Sequence, residues 1–364
     1  MNRLASLFLA VAIHMVGFGA VIPSMPYILR ELGGDATAQG LLVALFSLMQ
    51  LATAPLWGHL SDRLGRAAIA SLGLFLAAAG HAAAYLAGNL GMLAVGRAVA
   101  GIGGGTLPAL QAMFIDLTPA ERRASSMAMF GAAFGIGFVL GPALGGILAA
   151  FSSRLPFLAA ALLSTAAGLL IAGIPNVRSR AGGGLDLTIG RLALPILLLN
   201  LAFSMYEGLF TYFAAFAASL TARDVGFLMA LAGIAAGLGQ PVVRRLEGRL
   251  DPRRGAAMGL VVTALGLTQL ALALEARPLL YIGVLTASLG QVVAGAFIFT
   301  LASKTRGGLG LGLGALQSAG AFGRILGPSL GGFLYVHFTP STPFIAATLI
   351  VAAIVPMMYH HGGR

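Results

Sequence analysis

Gly137-Phe138-Val139-Leu140-Gly141-Pro142-Ala143-Leu144-Gly145-Gly146 returns as Gly323-Arg324-Ile325-Leu326-Gly327-Pro328-Ser329-Leu330-Gly331-Gly332, 186 residues later (327 − 141) in a chain of 364. Every glycine and the proline recur in register, so the chain is read as two homologous halves, each carrying the same unusual helix. Both copies lie inside long apolar stretches. There, proline and paired small residues are tolerated because neighbouring helices approach closely and re-satisfy the freed backbone.

Working outward, the rest of the chain is as apolar as these two segments. Hydrophobic residues make up 58% and charged residues 9% of the sequence, against about 25% charged in a soluble domain. A water-exposed surface for so long a chain cannot be built from that composition, and lipid is the solvent it fits. Cysteine is absent, which excludes disulfides, thiolate metal sites and cysteine nucleophiles. The net charge of +11 is spread in short clusters between apolar runs and forms no basic patch, so a nucleic-acid partner is not expected.

With about 20 residues needed per crossing, twelve spans are expected, near residues 4–28, 38–58, 67–88, 91–115, 125–150, 155–174, 191–218, 224–243, 256–275, 279–302, 310–336 and 342–360. The first is read as a retained helix, since it is long and lacks a small-residue cleavage site. Of the 22 Lys and Arg residues, sixteen fall in segments on the side of the N-terminus and four (Arg30, Arg154, Arg223, Arg277) on the other. Arg97 and Arg324 lie within spans. The positive-inside rule then places both termini in the cytoplasm. The polar, glycine-bearing stretch 175–190 is read as a cytoplasmic linker between six-helix bundles at 1–174 and 191–364.

Between the second and third spans runs Gly58-His59-Leu60-Ser61-Asp62-Arg63-Leu64-Gly65-Arg66. Its glycines permit a tight turn, and Asp62, Arg63 and Arg66 can make charge-assisted bonds to helix ends. A purely topogenic charge cluster is the competing reading. The second half has a weaker counterpart in Gly248-Arg249-Leu250-Asp251-Pro252-Arg253-Arg254-Gly255. The fourth span carries Gly96-Arg97-Ala98-Val99-Ala100-Gly101, followed by Asp116-Leu117-Thr118-Pro119-Ala120-Glu121-Arg122-Arg123.

Placed in this order along twelve spans, these strings resemble the major facilitator superfamily, in its twelve-helix drug:proton antiporter branch that includes the tetracycline exporters. The resemblance implies that Gly58, Asp62, Arg63, Gly65 and Arg66 form a gating loop. It likewise implies that Gly137, Gly141, Pro142, Gly145 and Gly146 form the antiporter motif. One departure stands in the first span, His14-Met15-Val16-Gly17-Phe18-Gly19, where His14 occupies the place at which tetracycline exporters commonly carry an aspartate. A histidine there is either a proton carrier or a packing contact between helices.

Glu207 is the one acid well inside a span, at Ser204-Met205-Tyr206-Glu207-Gly208. A charge at the middle of a bilayer helix costs about 2.5–3.5 kcal/mol, so such a residue reads as functional. Either Glu207 couples transport to protons, or a permanent ion pair with Arg324 keeps it ionised. Arg97 and His14 complete the set of candidate coupling groups. Asn200 and Gln291 are candidate cavity hydrogen-bonders, and Tyr206, Phe210 and Phe297 candidate aromatic walls with cation–π capacity. Each also has a plain packing role open to it.

The expected fold is therefore an all-α membrane protein, twelve transmembrane helices in two pseudo-symmetric six-helix bundles. The expected function is proton-coupled efflux of small amphiphilic compounds or drugs by alternating access, and not an enzyme activity. A carrier of organic anions or nutrients, recognised by Arg97 and Arg324, is the alternative, with a non-transporting receptor or scaffold behind it. No cofactor is expected: a Gly-Lys-Ser/Thr phosphate loop is missing, and His360-His361 is too sparse for a metal site. The expected partners are a small-molecule substrate, protons and the lipid bilayer, with the chain acting as a monomer in a bacterial inner membrane.

Overall fold

The computed structural model describes residues 3–119, 122–175, 193–303 and 309–360. Among these residues the chain is helical throughout: α1 (Arg3–Glu31), α2 (Ala36–Leu64), α3 (Arg66–Tyr85), α4 (Leu90–Gly104), α5 (Leu107–Asp116), α6 (Arg123–Ala149), α7 (Leu155–Ala172), α8 (Ala193–Tyr212), α9 (Ala222–Leu246), α10 (Pro252–Ala271), α11 (Pro278–Ser303), α12 (Leu309–His337) and α13 (Thr342–His360). Eleven segments among the described residues, with Leu90–Asp116 counted as one, are long and apolar enough to cross a membrane. The 29-residue α12 takes the place of the remaining expected span. Apart from Pro175, the linker expected at 175–190 lies outside the described residues.

Two elements depart from the uniform helices expected. The fourth span breaks between α4 and α5, where Gly103-Gly104-Gly105 meets Thr106 and the Thr106 hydroxyl donates to Gly103 O at 2.7 Å. Three glycines lower the helical preference there, and Pro108 in the first turn of α5 has no N–H to continue the ladder. The seventh span ends in a π-turn, Phe213–Ala217, closed by Ala218 N–H donating to Phe213 O at 2.9 Å. One turn earlier Gln39 Nε2 donates to Gly208 O at 2.7 Å and to Thr211 Oγ1 at 3.0 Å. A side-chain donor laid on the helical ladder is a recognised setting for such local unwinding.

The helices gather into two compact units. Unit 1 comprises Met1–Gly34, Leu45–Gly182 and Leu220–Ala230, and unit 2 comprises Asp35–Ala44, Gly183–Ser219 and Leu231–Arg364. Each unit thus includes the first turns of a helix whose remainder belongs to the other. In unit 1, α1 packs on α6 and α7, and α3 on α4 and α7; in unit 2, α8 packs on α12 and α13, and α10 on α11 and α13. The internal repeat is therefore also a repeat of packing.

Small residues set how close the helices come. On α7, Ala160, Ser164 and Ala167 are fully buried while Leu162 and Leu169 are 63% exposed. Along the middle of this helix the leucines face outward and the small residues inward, while Phe157 and Ile171 are buried near its ends. Lipid tails solvate leucine as well as a protein core does, so the tight face is left to residues that let backbones touch. The interior of unit 1 is filled by Leu7, Leu74, Phe114 and Phe130 around the inner parts of α1, α3, α5 and α6.

Candidate functional site

The loop Gly58–Arg66 is built around Gly65, which stands between α2 and α3 at φ +104°, a conformation that L side chains rarely adopt. That turn points the first residue of α3, Arg66, back at the end of α2. Its guanidinium pairs with Asp62 at 3.2 Å and with Asp116 at the end of α5. Arg66 is 9% exposed, whereas Asp62 and Arg63 are exposed. Gly58 has open space around it. The strings at 58–66 and 116–123, far apart in the chain, are thus joined by one arginine.

The repeated glycine segment works by backbone contact. A Cβ on Gly141 would lie 2.7 Å from Val16 O, and one on Gly137 would lie 2.7 Å from Met15 C. Gly145 faces Ala20, and Gly146 faces Ala222 O at 2.8 Å in the segment Leu220–Ala230 of the same unit. In unit 2, Gly323 and Gly327 meet Leu201, Gly331 meets Met205, and Gly332 meets Ala36 O in the segment Asp35–Ala44. The pairings Gly137 with Met15 and Gly323 with Leu201 keep the same offset of 186 (323 − 137 and 201 − 15). By that register His14 of α1 corresponds to Asn200 of α8 (200 − 14 = 186).

Unit 2 contains a cavity of about 390 Å³, lined by Asn200, Phe203, Gln240, Gln291 and neighbouring apolar residues. Three side-chain amides from α8, α9 and α11 converge on it. Arg324 Nη1 donates to Asn200 Oδ1 at 3.2 Å. Asn200, Phe203 and Glu207 follow one another at i, i+3 and i+7, so all three share one face of α8, and all three are half-buried. No ion pair within 4.0 Å links Glu207 to Arg324; the guanidinium is engaged by Asn200 instead. An acid, three amides and an aromatic ring on adjoining helix faces suit a solute with both apolar and hydrogen-bonding surface.

Unit 1 holds a different group. His14, His81 and Arg97 are 5%, 2% and 6% exposed. His14 Nδ1 is 3.0 Å from Ser164 Oγ, and the Arg97 guanidinium lies over the Phe46 ring, 4.5 Å from its centre. Helices α3 and α4 cross closely here: a Cβ on Gly80 would be 2.7 Å from Gly96 O, and one on Gly96 2.7 Å from Ala84 N. His81 and Arg97 are the residues immediately following these two glycines.

Of the residues read from the sequence as substrate contacts, Asn200 and Gln291 line the unit 2 cavity. Tyr206, Phe210 and Phe297 do not. They are 4%, 0% and 2% exposed; the Tyr206 ring packs tilted against Phe210 and edge-on to Phe344, and Phe297 fills the space over Gly255. Gln240 and Phe203 line the cavity and escaped the sequence reading. Gln240 stands near the C-terminal end of α9, close to Arg244 and Arg245, where a polar side chain reads as part of a charged helix end. His81 was missed as well, because a single histidine near a helix end carries no motif.

Comparison with known proteins agrees with this architecture. The Major Facilitator Superfamily profile matches residues 7–219 and 192–361. The class C tetracycline resistance protein of Escherichia coli is 37% identical over 166 residues, 45% of this chain and 42% of that protein. The quinolone resistance protein NorA of Staphylococcus aureus is 28% identical over 242 residues, 63% of this chain and 62% of NorA. The match therefore spans less than two thirds of the length of these curated relatives. The crystal structure of the nucleoside transporter NupG superposes with a TM-score of 0.79 at 14% identity, over 99% of this chain and 98% of that one; at that identity the likeness concerns the fold. On the family match and the twofold repeat of packing together, the chain belongs to the major facilitator superfamily.

Proposed function

We propose that the chain is a secondary carrier that exports small amphiphilic compounds from the cytoplasm of a bacterium in exchange for protons, by alternating access. The carrying observation is Glu207. It is an acid within a membrane helix, without an ion pair among the described residues, on the same face of α8 as two residues that line the cavity. An unpaired carboxyl changes its charge as its solvation changes, and a protein that retains one inside a bilayer uses it. His14 and Arg97, both buried, and Arg324, which is exposed, are the remaining titratable or charged groups of the coupling set, and the cavity lined by Asn200 and Gln291 is the substrate site.

The family is one of membrane carriers rather than enzymes, and the resistance proteins similar to this chain are bacterial. Those relatives support export as the direction and drugs as the substrate class. The arginine bias supports cytoplasmic termini, the bacterial relatives and helical spans support an inner-membrane location, and the reading takes the chain as a monomer.

The test is transport in proteoliposomes under an imposed pH gradient, with a panel of amphiphilic dyes and drugs. Gradient-driven uptake into inside-acid vesicles is expected, with at least a tenfold loss in Glu207→Gln. Undiminished gradient-driven transport in that variant would remove Glu207 from the coupling role. Absence of transport for the whole panel, with correctly folded protein, would remove drug export.

A further inference from the structure

The group His14, His81 and Arg97 in unit 1 has an unbalanced charge. Arg97 makes no hydrogen bond or ion pair with any described residue, and its Nε is buried without a partner. His81 Nδ1 is also buried without a partner. Each such group forfeits about 1–3 kcal/mol, so a buried polar atom left without a partner in a native protein calls for a cause, a bound ion among them. The Phe46 ring face offsets part of the arginine's charge but accepts no hydrogen bond.

Every described carboxylate of the unit is engaged elsewhere. Glu31 accepts from Ser153 at 2.7 Å beside Arg154. Asp62 and Asp116 share Arg66, and Asp224 accepts from Thr221 at 2.6 Å. Proton uptake by His81 would add positive charge at the crossing of α3 and α4, where Gly80 and Gly96 meet and the next residue along α4 is a guanidinium without a counter-charge. What the cluster lacks is a negative group. In the tautomer where Ser164 donates to His14 Nδ1, the other ring nitrogen carries the proton, so even neutral histidines supply N–H donors beside the arginine.

We infer that Arg97 and His81, with His14 held alongside by Ser164, form an anion-binding site inside unit 1, able to take a chloride-sized ion or the carboxylate of an organic solute. Arg97 supplies the charge and a planar fork of donors. His81 supplies a neutral N–H, and Phe46 closes the apolar side. The site is separate from Glu207, so its occupancy is measured without any transport step and does not depend on the export reading.

The experiment follows the thermal unfolding midpoint of the purified chain in detergent, without substrate, at constant ionic strength. Sodium methanesulfonate, which bears no carboxylate, is replaced stepwise by sodium chloride in one series and by sodium benzoate in another. A saturable rise in midpoint is expected. A response to benzoate alone assigns the site to carboxylate-bearing solutes; a response to chloride, alone or with benzoate, assigns it to small inorganic anions. Apparent affinity falls about tenfold or more in Arg97→Gln and about tenfold in His81→Phe, and is unchanged in Arg223→Gln, which removes an exposed cation of the same unit. Should Arg97→Gln not fold, Arg97→Lys takes its place, keeping the charge without the fork. A flat response of the unaltered chain to both salts overturns the inference, as does wild-type affinity in the Arg97 variants and His81→Phe.

Discussion

Arg66 shows what one side chain can hold together. Its 9% exposure and two carboxylate partners make it a fixed strut more than a surface charge. Arg66→Ala leaves Asp116 without its cation, and breaking a largely buried pair costs about 3 kcal/mol. A clear fall in the unfolding midpoint measured in detergent is therefore expected, with Arg66→Lys falling less. Gly65→Ala forces φ +104° on an alanine, a strain of about 1–3 kcal/mol, and a comparable fall would check it. At this scale the sequence was legible where chemistry is unusual for the surroundings: Arg97, Glu207 and Arg324 stand out as charges in apolar runs. It was illegible where the meaning lies in a neighbour. Nothing about His81 or Gln240 distinguishes them until α3 meets α4, or α9 meets α11.

Among the elements, α6 separates glycines that are needed from glycines that are not. Gly141 presses on Val16 O and Gly19 of α1, while Gly131 and Gly135 have open space where a Cβ would go. Gly141→Ala is expected to lower the yield of folded protein and its unfolding midpoint. Gly135→Ala is expected to be neutral or slightly stabilising, by about 0.5–1 kcal/mol, since alanine is the better helix former. Equal effects from the two variants would contradict the packing described. The repeat made α6 and α12 recognisable from their glycines alone. The break between α4 and α5 and the π-turn after α8 were not, because both depend on where hydrogen bonds go. Thr106 turns back on Gly103, and Gln39 reaches Gly208 from a helix 169 residues earlier.

For the molecule as a whole, the proposed orientation is testable because the chain contains no native cysteine. Thr339→Cys, exposed between α12 and α13, is expected to react with a membrane-impermeant maleimide in intact cells. Glu247→Cys, exposed after α9, is expected to react only after permeabilisation. The opposite pattern would invert the topology. Hydropathy and spacing were enough for the number of spans, the duplicated glycine segment for the twofold repeat, and the strings at 58–66, 96–101 and 137–146 for the family resemblance; the spans are legible because a bilayer forces each crossing to satisfy its own backbone and be apolar along its length. That constraint acts on each segment independently and so is written locally. Which polar groups share a cavity, which acid lacks a cation and which arginine lacks an acid had to come from packing. These are relations between helices, fixed by where small residues let backbones meet, and no single segment carries them.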